Sequence, residues 1–312
     1  MTAVCPITYE DIEPPLRYSD RGLALLAPRL AALRDFPYSA EQQVREAVRR
    51  AGKISVQGVQ PKLSARLSVR GQQFVIVDRH GQFIIKPQNA LYAQLPENED
   101  LTMRLARASG IACPLHGLVH CSDGSLSYFI KRFDRHGRSG KTHVEDFAQL
   151  AGRTRETKYD SSMEQVARIV EERCSFPVPQ LLELFRRTLF CLLTGNEDMH
   201  LKNFTVVRRD PMVELSPAYD MVNTTLAMGT RDPEELALPL NGRKRNITRT
   251  DLIGYFAGER LRLPGPAVQD VLSGFRKALP AWHALIDRSF LSPQLKQGYR
   301  GLVDQRAARF LG

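Results

Sequence analysis

The sequence predicts an α+β fold of two lobes, a strand-rich N-terminal lobe over residues 1–133 and a helical C-terminal lobe over residues 134–312. Two observations support this prediction. In the first part, short apolar and alternating runs are separated by turn residues, which is typical of strands. In the second part, apolar residues recur at spacings of three and four, which indicates helices with one buried face. A chain of 312 residues is long enough for two lobes of ordinary size.

The composition excludes several classes of function. The chain carries 44 Lys and Arg against 34 Asp and Glu, a net charge of +10. These basic residues are dispersed and no aromatic stacking platform accompanies them, so no direct nucleic-acid binding is expected. No apolar run reaches the roughly 18 residues of a membrane helix, and the N-terminus has no signal region. We therefore expect a soluble, cytoplasmic protein with no membrane segment.

Cysteines and histidines give no convincing metal site. The cysteines are odd in number and lack the paired spacing of zinc or redox sites, so we expect reduced, mostly buried side chains at Cys5, Cys113, Cys121, Cys174 and Cys191. His116 and His120 would lie on one face of a strand, where a metal pair is conceivable. Because no third ligand is near in sequence, ordinary packed histidines are the favoured interpretation.

The N-terminal lobe is predicted to contain a five-stranded sheet. Residues 1–50 hold a proline-broken segment and a helical pattern over 40–50, whose function the sequence does not indicate. Apolar residues then alternate from Leu63 to Val69, and turns at Gly71 and Gly81 separate the next runs. The five predicted strands cover residues 63–69, 74–77, 83–86, 115–121 and 127–133.

Lys86 ends the third predicted strand among apolar neighbours. Burying a lysine is costly without an anionic partner, so Lys86 faces either solvent or an anion such as a phosphate. The next helix opens at Pro96, with Glu97 and Glu99 in its first turn. Either glutamate could pair with Lys86, and either could simply stabilise the helix dipole.

The C-terminal lobe is predicted to be mainly helical. The helix over 178–194 carries an apolar stripe that includes Leu184, Leu189 and Leu192, which favours a core position. The predicted helices cover residues 144–152, 163–173, 178–194, 250–259, 266–279 and 292–311.

A polar loop over residues 195–203 follows the helix that ends near Leu193, and a β-prone run over 204–207 follows the loop. Asp198 and Asn203 lie five residues apart on this loop, and Asp220 follows a further strand-like run over 212–215. Magnesium prefers oxygen ligands, so Asn203 and Asp220 could hold Mg²⁺ while Asp198 orients an attacking hydroxyl. The alternative is that Asp198 and Asn203 merely cap turns.

The order of these groups is that of protein kinases. In kinases a strand lysine contacts the ATP phosphates, a catalytic Asp is followed by an Asn at plus five, and a later Asp holds metal. Lys86, then Asp198 with Asn203, then Asp220 arrive in the same order. The predicted fold is therefore protein-kinase-like, with ATP and Mg²⁺ as the implied ligands.

Six short motifs together indicate a more specific relationship. They are Ser-Val-Gln-Gly-Val-Gln-Pro-Lys-Leu at 55–63, Pro-Glu-Asn-Glu at 96–99, Lys-Arg-Phe-Asp-Arg at 131–135, Glu-Asp-Phe at 145–147, Gly-Asn-Glu-Asp-Met-His-Leu-Lys-Asn-Phe at 195–204 and Ala-Tyr-Asp at 218–220. These motifs resemble those of the HipA family, bacterial serine/threonine kinase toxins of toxin–antitoxin systems. The resemblance covers about residues 50–310 and is specific, because Asn-x-Asp-x-His-x-Lys-Asn-Phe is not the ordinary kinase pattern.

The resemblance implies roles for individual residues. Asp198 is the implied catalytic base, Asn203 and Asp220 are the implied magnesium ligands, and Ser55 is the implied autophosphorylation site, whose modification would switch the kinase off. His200 stands at plus two from Asp198, where most kinases have lysine, and would contact the transferring phosphate with a pH-dependent charge. The implied nucleotide-binding residues are those of the phosphate loop within 52–62 (Gln57, Gly58, Val59, Gln60 and Lys62), Lys86, the hinge at Lys131, Arg132 and Phe133, and His200, Lys202, Asn203, Tyr219 and Asp220.

The resemblance also implies partners. Family members phosphorylate aminoacyl-tRNA synthetases, which suggests a glutamyl- or tryptophanyl-type synthetase as substrate. Because only about 50 residues precede the phosphate loop, the chain is most similar to the short form HipT. HipT works with a small HipS-like antitoxin and a DNA-binding HipB-like antitoxin. Two alternatives remain open, a small-molecule kinase and a non-catalytic pseudokinase partner of a DNA-binding antitoxin.

Overall fold

The computed structural model describes residues 3–50, 60–137, 139–229 and 234–312. The chain divides into two compact units. The first unit comprises Met1–Leu101, Pro114–Lys141 and Asp287–Leu291, and the second comprises Thr102–Cys113, Thr142–Ile286 and Ser292–Gly312. The lobe boundary predicted at residues 133 and 134 stays a prediction.

The first unit is built on a five-stranded antiparallel sheet. Its elements are β1 (Ala3–Val4), β2 (Asp11–Ile12), α1 (Asp20–Leu26), α2 (Ala40–Arg50), β3 (Leu63–Ser68), β4 (Gln73–Ile76), β5 (Phe83–Lys86), α3 (Leu95–Ala108, which continues into the second unit), β6 (His116–His120), β7 (Leu126–Lys131), β8 (Arg135–His136) and β9 (Gly140–Lys141). The strand order in the sheet is β4-β3-β5-β7-β6. The five predicted strands are confirmed, with ends that differ by at most two residues.

Three phenylalanines form the centre of this sheet's core. Phe74 of β4, Phe83 of β5 and Phe129 of β7 are buried, with ring centroids 5.1, 5.2 and 6.2 Å apart. Each aromatic pair stabilises the fold by about 0.5–1.5 kcal/mol beyond its buried area. The three strands are therefore held together beside Lys86, the last residue of β5.

The second unit combines helices with a three-stranded antiparallel sheet in the order β10-β11-β12. Its remaining elements include a short 3₁₀ turn at Leu201–Asn203 and a helix with π-type turns at Thr250–Arg260. The labelled elements are β10 (His143–Asp146), α4 (Phe147–Leu150), α5 (Met163–Arg173), α6 (Pro177–Thr194), β11 (Thr205–Arg209), β12 (Met212–Leu215), α7 (Thr224–Met228), α8 (Gly265–Arg288, whose last two residues belong to the first unit) and α9 (Pro293–Leu311).

One predicted helix is wrong in its first part. Residues 144–146 belong to β10, in which Val144 pairs with Val207 and Asp146 with Thr205. The helix begins only at Phe147, where the Asp146 side chain accepts from the Gln149 N–H and the Gln149 side chain accepts from the Asp146 N–H. This capping box fixes the helix start at the strand end, and α4 is only four residues long.

Helix α6 ends at a glycine that leads into the polar loop. Gly195 has φ of 65°, in the left-handed region, and its N–H donates to the Cys191 carbonyl. A Cβ at this position would lie 2.7 Å from Thr225 Oγ1. Glycine is therefore required both for the backbone conformation and for the close approach of α7.

The cysteines are free thiols, and four of the five are buried. This agrees with the expectation of reduced, mostly buried side chains. Across the parts of the chain that the structure describes, no helix has both the length and the apolar character needed to span a bilayer.

Candidate active site

The backbone of Asp198 is held from both sides by asparagine side chains of its own loop. The Asp198 N–H donates to Asn196 Oδ1 at 3.1 Å, and Asn203 Nδ2 donates to the Asp198 carbonyl oxygen at 2.8 Å. The side chain of Asp198 remains 51% exposed. The loop therefore has a fixed main chain that presents a carboxylate toward solvent.

Turn capping does not account for the Asp198 carboxylate. Within the described residues its oxygens accept no backbone N–H, and its hydrogen-bond donor is the Tyr159 hydroxyl, 2.5 Å from Oδ1. Asn203, in contrast, does stabilise the turn through its Nδ2. Because Nδ2 is the donor, the Asn203 Oδ1 is oriented away from that bond, and it takes part in no hydrogen bond within the described residues.

Two residues that the sequence analysis missed, Lys158 and Tyr159, contact the polar loop over residues 195–203 from the segment between α4 and α5. Lys158 Nζ lies 2.6 Å from His200 Nε2, and the Tyr159 ring packs edge-on against the His200 ring with centroids 5.0 Å apart. The Leu201 N–H also donates to the Lys158 carbonyl at 3.3 Å. No local pattern identifies this pair, because its partners lie about forty residues further along the chain.

The His200 ring is buried beside Lys158. Burial lowers the pKa of His200, the field of Asp198 opposes this shift, and the charge of Lys158 adds to it. Lys158 Nζ lies within hydrogen-bond distance of His200 Nε2, so this ring nitrogen already has a partner within the chain. The pH-dependent contact of His200 with the transferring phosphate stays a prediction.

Asp220 lies in a turn that Tyr219 connects to the polar loop over residues 195–203. The Tyr219 hydroxyl donates to the Lys202 carbonyl at 3.0 Å and pairs with the Thr205 hydroxyl at 2.5 Å. Asp220 itself has φ of 59°, which aspartate adopts more readily than most residues. Its charge acts on both Lys158 and His200, as does that of Asp198. The two acids that the sequence placed 22 residues apart thus share one neighbourhood.

The donor set fits magnesium. Asn203 offers a carbonyl oxygen that no described residue occupies, and Asp220 offers a carboxylate. Among the described residues there is no cluster of three or more His, Cys, Asp or Glu that would form an all-protein metal cage. Magnesium usually takes one or two protein oxygens and completes its shell with phosphate and water. Asn203 and Asp220 are suited to that kind of site.

In the first unit, Lys86 is buried and paired. Its Nζ lies 2.6 Å from Glu99 Oε1 and 5.7 Å from the centroid of the Tyr128 ring. Glu97 instead accepts from Gln88 Nε2 at 2.8 and 3.0 Å, and burial raises the pKa of Glu97 to about 6. Of the two glutamates that the sequence left open, Glu99 is the partner of Lys86. A strand lysine paired with a helix glutamate is also the arrangement that active protein kinases require.

Two backbone N–H groups of the predicted hinge already donate hydrogen bonds to carbonyl oxygens of the first unit. The Lys131 N–H donates to the Leu115 carbonyl at 2.7 Å, and the Arg132 N–H donates to the Gln82 carbonyl at 2.8 Å. The Arg132 guanidinium binds both carboxylate oxygens of Asp134. A main-chain contact to adenine at this segment would therefore not use the N–H groups of Lys131 or Arg132.

The predicted phosphate loop lies largely outside the described residues. Ser55, Gln57, Gly58 and Val59 belong to that part, and the roles assigned to them stay predictions. Gln60 and Lys62, which are described, are half-buried just before β3.

Comparison with known proteins gives matches along most of the chain. A Haemophilus influenzae protein named "Putative kinase" is 30% identical over 242 residues, which cover 73% of this chain and 69% of that protein. The serine/threonine-protein kinase toxin HipA of Shewanella oneidensis is 26% identical over 289 residues, 83% of this chain and 64% of that protein. The Sinorhizobium fredii protein "Putative kinase Y4dM" is 36% identical over 208 residues, but this chain spans only 50% of its length.

Solved structures show the fold. HipA of Shewanella oneidensis, in a complex with HipB and operator DNA, superposes with a TM-score of 0.69 at 24% identity, covering 89% of this chain and 74% of that one. The Helicobacter pylori proinflammatory kinase CtkA gives a TM-score of 0.54 at 15% identity, covering 73% of this chain and 87% of that one. These matches confirm the predicted α+β, protein-kinase-like fold class.

The family pattern covers the candidate residues of both units. The pattern of the HipA-like C-terminal domain matches residues 54–282, a range that includes Lys86, Lys158, Asp198 and Asp220. The chain belongs to the family of HipA-like C-terminal domains.

Proposed function

We propose that this chain is an ATP-dependent serine/threonine protein kinase. The observation that carries the proposal is the construction of the loop around Asp198. The loop over residues 196–203, which ends in the 3₁₀ turn Leu201–Asn203, presents the half-exposed Asp198 carboxylate on a fixed backbone. Through Asn203 it also offers an amide oxygen suited to a metal. Catalysis of phosphoryl transfer depends mainly on positioning of the reacting groups and on electrostatic stabilisation of the transition state. This loop has side chains suited to both.

Each residue has a distinct task in the proposed reaction. Asp198 accepts the hydrogen of the substrate hydroxyl and orients its oxygen toward the phosphorus that is transferred. Asn203 and Asp220 hold Mg²⁺, which when bound supplies positive charge to the phosphate oxygens. Lys86, oriented by Glu99, contacts the phosphates of ATP. The remaining nucleotide contacts proposed at Gln57, Gly58, Val59, Gln60, Lys62 and the hinge follow the family resemblance.

We further propose that the kinase is the toxin of a bacterial toxin–antitoxin system. Support comes from the similarity to the toxin HipA of Shewanella oneidensis, which is found in a complex with HipB and DNA. By the same family argument, a HipB-like antitoxin is the proposed DNA-binding partner, and a HipS-like protein is the proposed second partner of a HipT-type chain. The proposed substrate is an aminoacyl-tRNA synthetase, and the proposed off-switch is autophosphorylation at Ser55.

The test is transfer of labelled phosphate. Dephosphorylated protein is incubated with γ-labelled ATP, Mg²⁺ and a bacterial lysate, and labelled bands are identified by mass spectrometry. Wild type should label a synthetase, and Asp198→Asn should label nothing. Asp270→Asn is the matched control, because Asp270 is an exposed aspartate of α8 in the same unit and has no ion pair with any described residue.

The outcomes separate the alternatives. Label on small molecules without labelled protein would indicate a small-molecule kinase instead. Absence of Mg²⁺-dependent transfer in wild type, together with unchanged growth arrest by Asp198→Asn, would indicate a non-catalytic partner. Label in a protein other than a synthetase would support the proposed kinase activity but refute the proposed substrate.

A further inference from the structure

The loop over residues 195–203 has a histidine at the position where most kinases have lysine. His200 stands two residues after Asp198, it is 5% exposed, and its Nε2 lies 2.6 Å from Lys158 Nζ. This ring nitrogen is therefore already paired with a lysine from another segment of the chain. That lysine can supply the positive charge that stabilises negative charge on the transferring group.

Lys158 brings a cation to this place from a distant loop. Its Nζ lies 2.6 Å from His200 Nε2 and 4.8 Å from the centroid of the Tyr159 ring. The charges of Asp198 and Asp220 both act on this ammonium group. Lys158 thus lies beside the proposed base and within the field of the proposed metal ligand.

Lys158 has no carboxylate within ion-pair distance among the described residues. Its nearest neighbours are the His200 imidazole and the Tyr159 ring. Burial lowers the pKa of Lys158, although Asp198 and Asp220 oppose that shift. A half-buried ammonium group without a carboxylate partner is costly unless an anionic ligand satisfies its remaining N–H groups.

We infer that Lys158 is a catalytic residue that contacts the transferring phosphoryl group and takes the place of the missing catalytic-loop lysine. The inference rests on the proposed kinase function. In the transfer, the substrate hydroxyl oxygen bonds to the γ-phosphorus while the bond from that phosphorus to the β,γ-bridging oxygen breaks. The electron pair leaves with ADP, and the hydroxyl proton goes to Asp198. Lys158 stabilises the charge on the oxygens of the moving group, and His200 orients the lysine.

The residue next to it, Tyr159, is a positioning residue in this scheme. Its hydroxyl holds Asp198 Oδ1 at 2.5 Å while its ring packs against His200. Two adjacent residues thereby fix the two functional side chains of the loop. The hydrogen bond from the Leu201 N–H to the Lys158 carbonyl keeps the two segments in register.

The experiment uses the full chain and compares two affinities: that for Mg-ADP, which represents the ground state, and that for Mg-ADP with aluminium fluoride, which mimics the transition state. Lys158→Ala should lower the rate of phosphate transfer on the order of 10²-fold, as loss of one electrostatic donor does. Its affinity for Mg-ADP should stay unchanged, but its affinity for Mg-ADP with aluminium fluoride should fall on the order of 10²-fold. Lys277→Ala, at an exposed lysine of α8, is the matched control and should behave as wild type.

A second variant tests whether a lysine at position 200 can replace Lys158. Adding His200→Lys to Lys158→Ala places a lysine at plus two from Asp198 and should restore part of the transfer rate and of the aluminium fluoride affinity. If Lys158→Ala fails to fold, as judged by its thermal unfolding, Lys158→Gln is measured with the same expected results.

The inference is overturned if Lys158→Ala retains wild-type transfer and mimic binding. It is equally overturned if the affinities of the variant for Mg-ADP and for Mg-ADP with aluminium fluoride fall by the same factor, because that pattern indicates a structural role. A wild-type protein that neither transfers phosphate nor binds the mimic would instead refute the proposed kinase function itself. The two failures are therefore distinguishable.

Discussion

The Tyr159 hydroxyl donates a hydrogen bond of 2.5 Å to Oδ1 of Asp198 across 39 residues of sequence. A hydrogen bond to a charged group typically contributes about 1.5–3 kcal/mol. Here the bond restrains a half-exposed side chain that would otherwise rotate in solvent. Tyr159 therefore determines where the proposed base points, although it contributes no proton to the proposed transfer.

This relationship predicts a selective kinetic defect. Tyr159→Phe should lower kcat roughly 10-fold, because it removes the bond that orients Asp198 while keeping the ring. The KM for ATP should not change, since the hydroxyl binds Asp198 alone among the described residues. Steady-state kinetics check this split. Tyr92→Phe is the control, since its hydroxyl has no hydrogen bond to any described residue, and a KM effect in Tyr159→Phe would contradict the positioning role.

The glycine at the start of the loop predicts a stability change of defined sign. Gly195→Ala should lower the free energy of unfolding by about 1–2 kcal/mol or more, because φ is 65° and the new Cβ would approach Thr225 Oγ1 to 2.7 Å. Urea unfolding measures the change. Gly274→Ala, inside α8 with nothing within 4 Å of the added Cβ, should have the opposite effect and stabilise by up to about 1 kcal/mol. Equal effects of the two substitutions would refute this account of Gly195.

Glu97 predicts a pH dependence of stability. Burial raises the pKa of Glu97 from 4.5 to about 6, so between these values the folded state binds more protons than the unfolded state. Stability contributed by this group is complete below pH 4.5 and is lost as pH rises through 6. Glu97→Gln cannot ionise and should therefore gain up to about 2 kcal/mol over wild type at pH 8, but nothing at pH 4.

Unfolding by urea at the two pH values measures this difference. Glu13→Gln, at an exposed glutamate of the same unit, should show no such pH-dependent gain. A gain of Glu97→Gln that was the same at pH 4 and pH 8 would show that ionisation of Glu97 is not its cause.

Substitutions of Lys86 and Glu99 should affect protein stability and ATP binding differently. Lys86→Met leaves Glu99 as a buried charge without its lysine and should destabilise the protein by about 3–5 kcal/mol. Adding Glu99→Leu removes that charge and should restore most of the stability. Binding of ATP, measured by calorimetry, should stay weakened in both variants because the phosphate contact is missing. Arg66→Met, at an exposed residue of β3, is the control. If the double variant bound ATP with wild-type affinity, the proposed contact of Lys86 with the ATP phosphates would be refuted.

Local patterns were sufficient for most elements. The five strands of the first unit were predictable, because alternation and turn residues are local signals and each run of apolar side chains has one buried face. The strand β10 was not predictable, since Val144 to Asp146 acquire strand geometry only by pairing with β11, about sixty residues away. A segment of four residues next to a helix start is too short to show the period that distinguishes a strand from a helix.

The site was predictable in part for the same reason. Asp198 and Asn203 are close in sequence, so their relation is local, and the structure gives it as a hydrogen bond between Asn203 Nδ2 and the Asp198 carbonyl. The choice of Glu99 over Glu97 depends on the rotation of α3 about its axis, which two acids in one helical turn do not reveal. Lys158 and Tyr159 carried no signal, because a lysine and a tyrosine in a polar loop are ordinary surface residues until a partner is known.

The sequence by itself determined the fold class, the order of most strands and helices along the chain and the family, because these depend on periodicity and on motifs of adjacent residues. Only the tertiary structure decided that Lys158 reaches His200, that Tyr159 holds Asp198, and that burial lowers the pKa of His200. Contacts between segments about forty residues apart arise from packing, and a pKa depends on how completely that packing removes water.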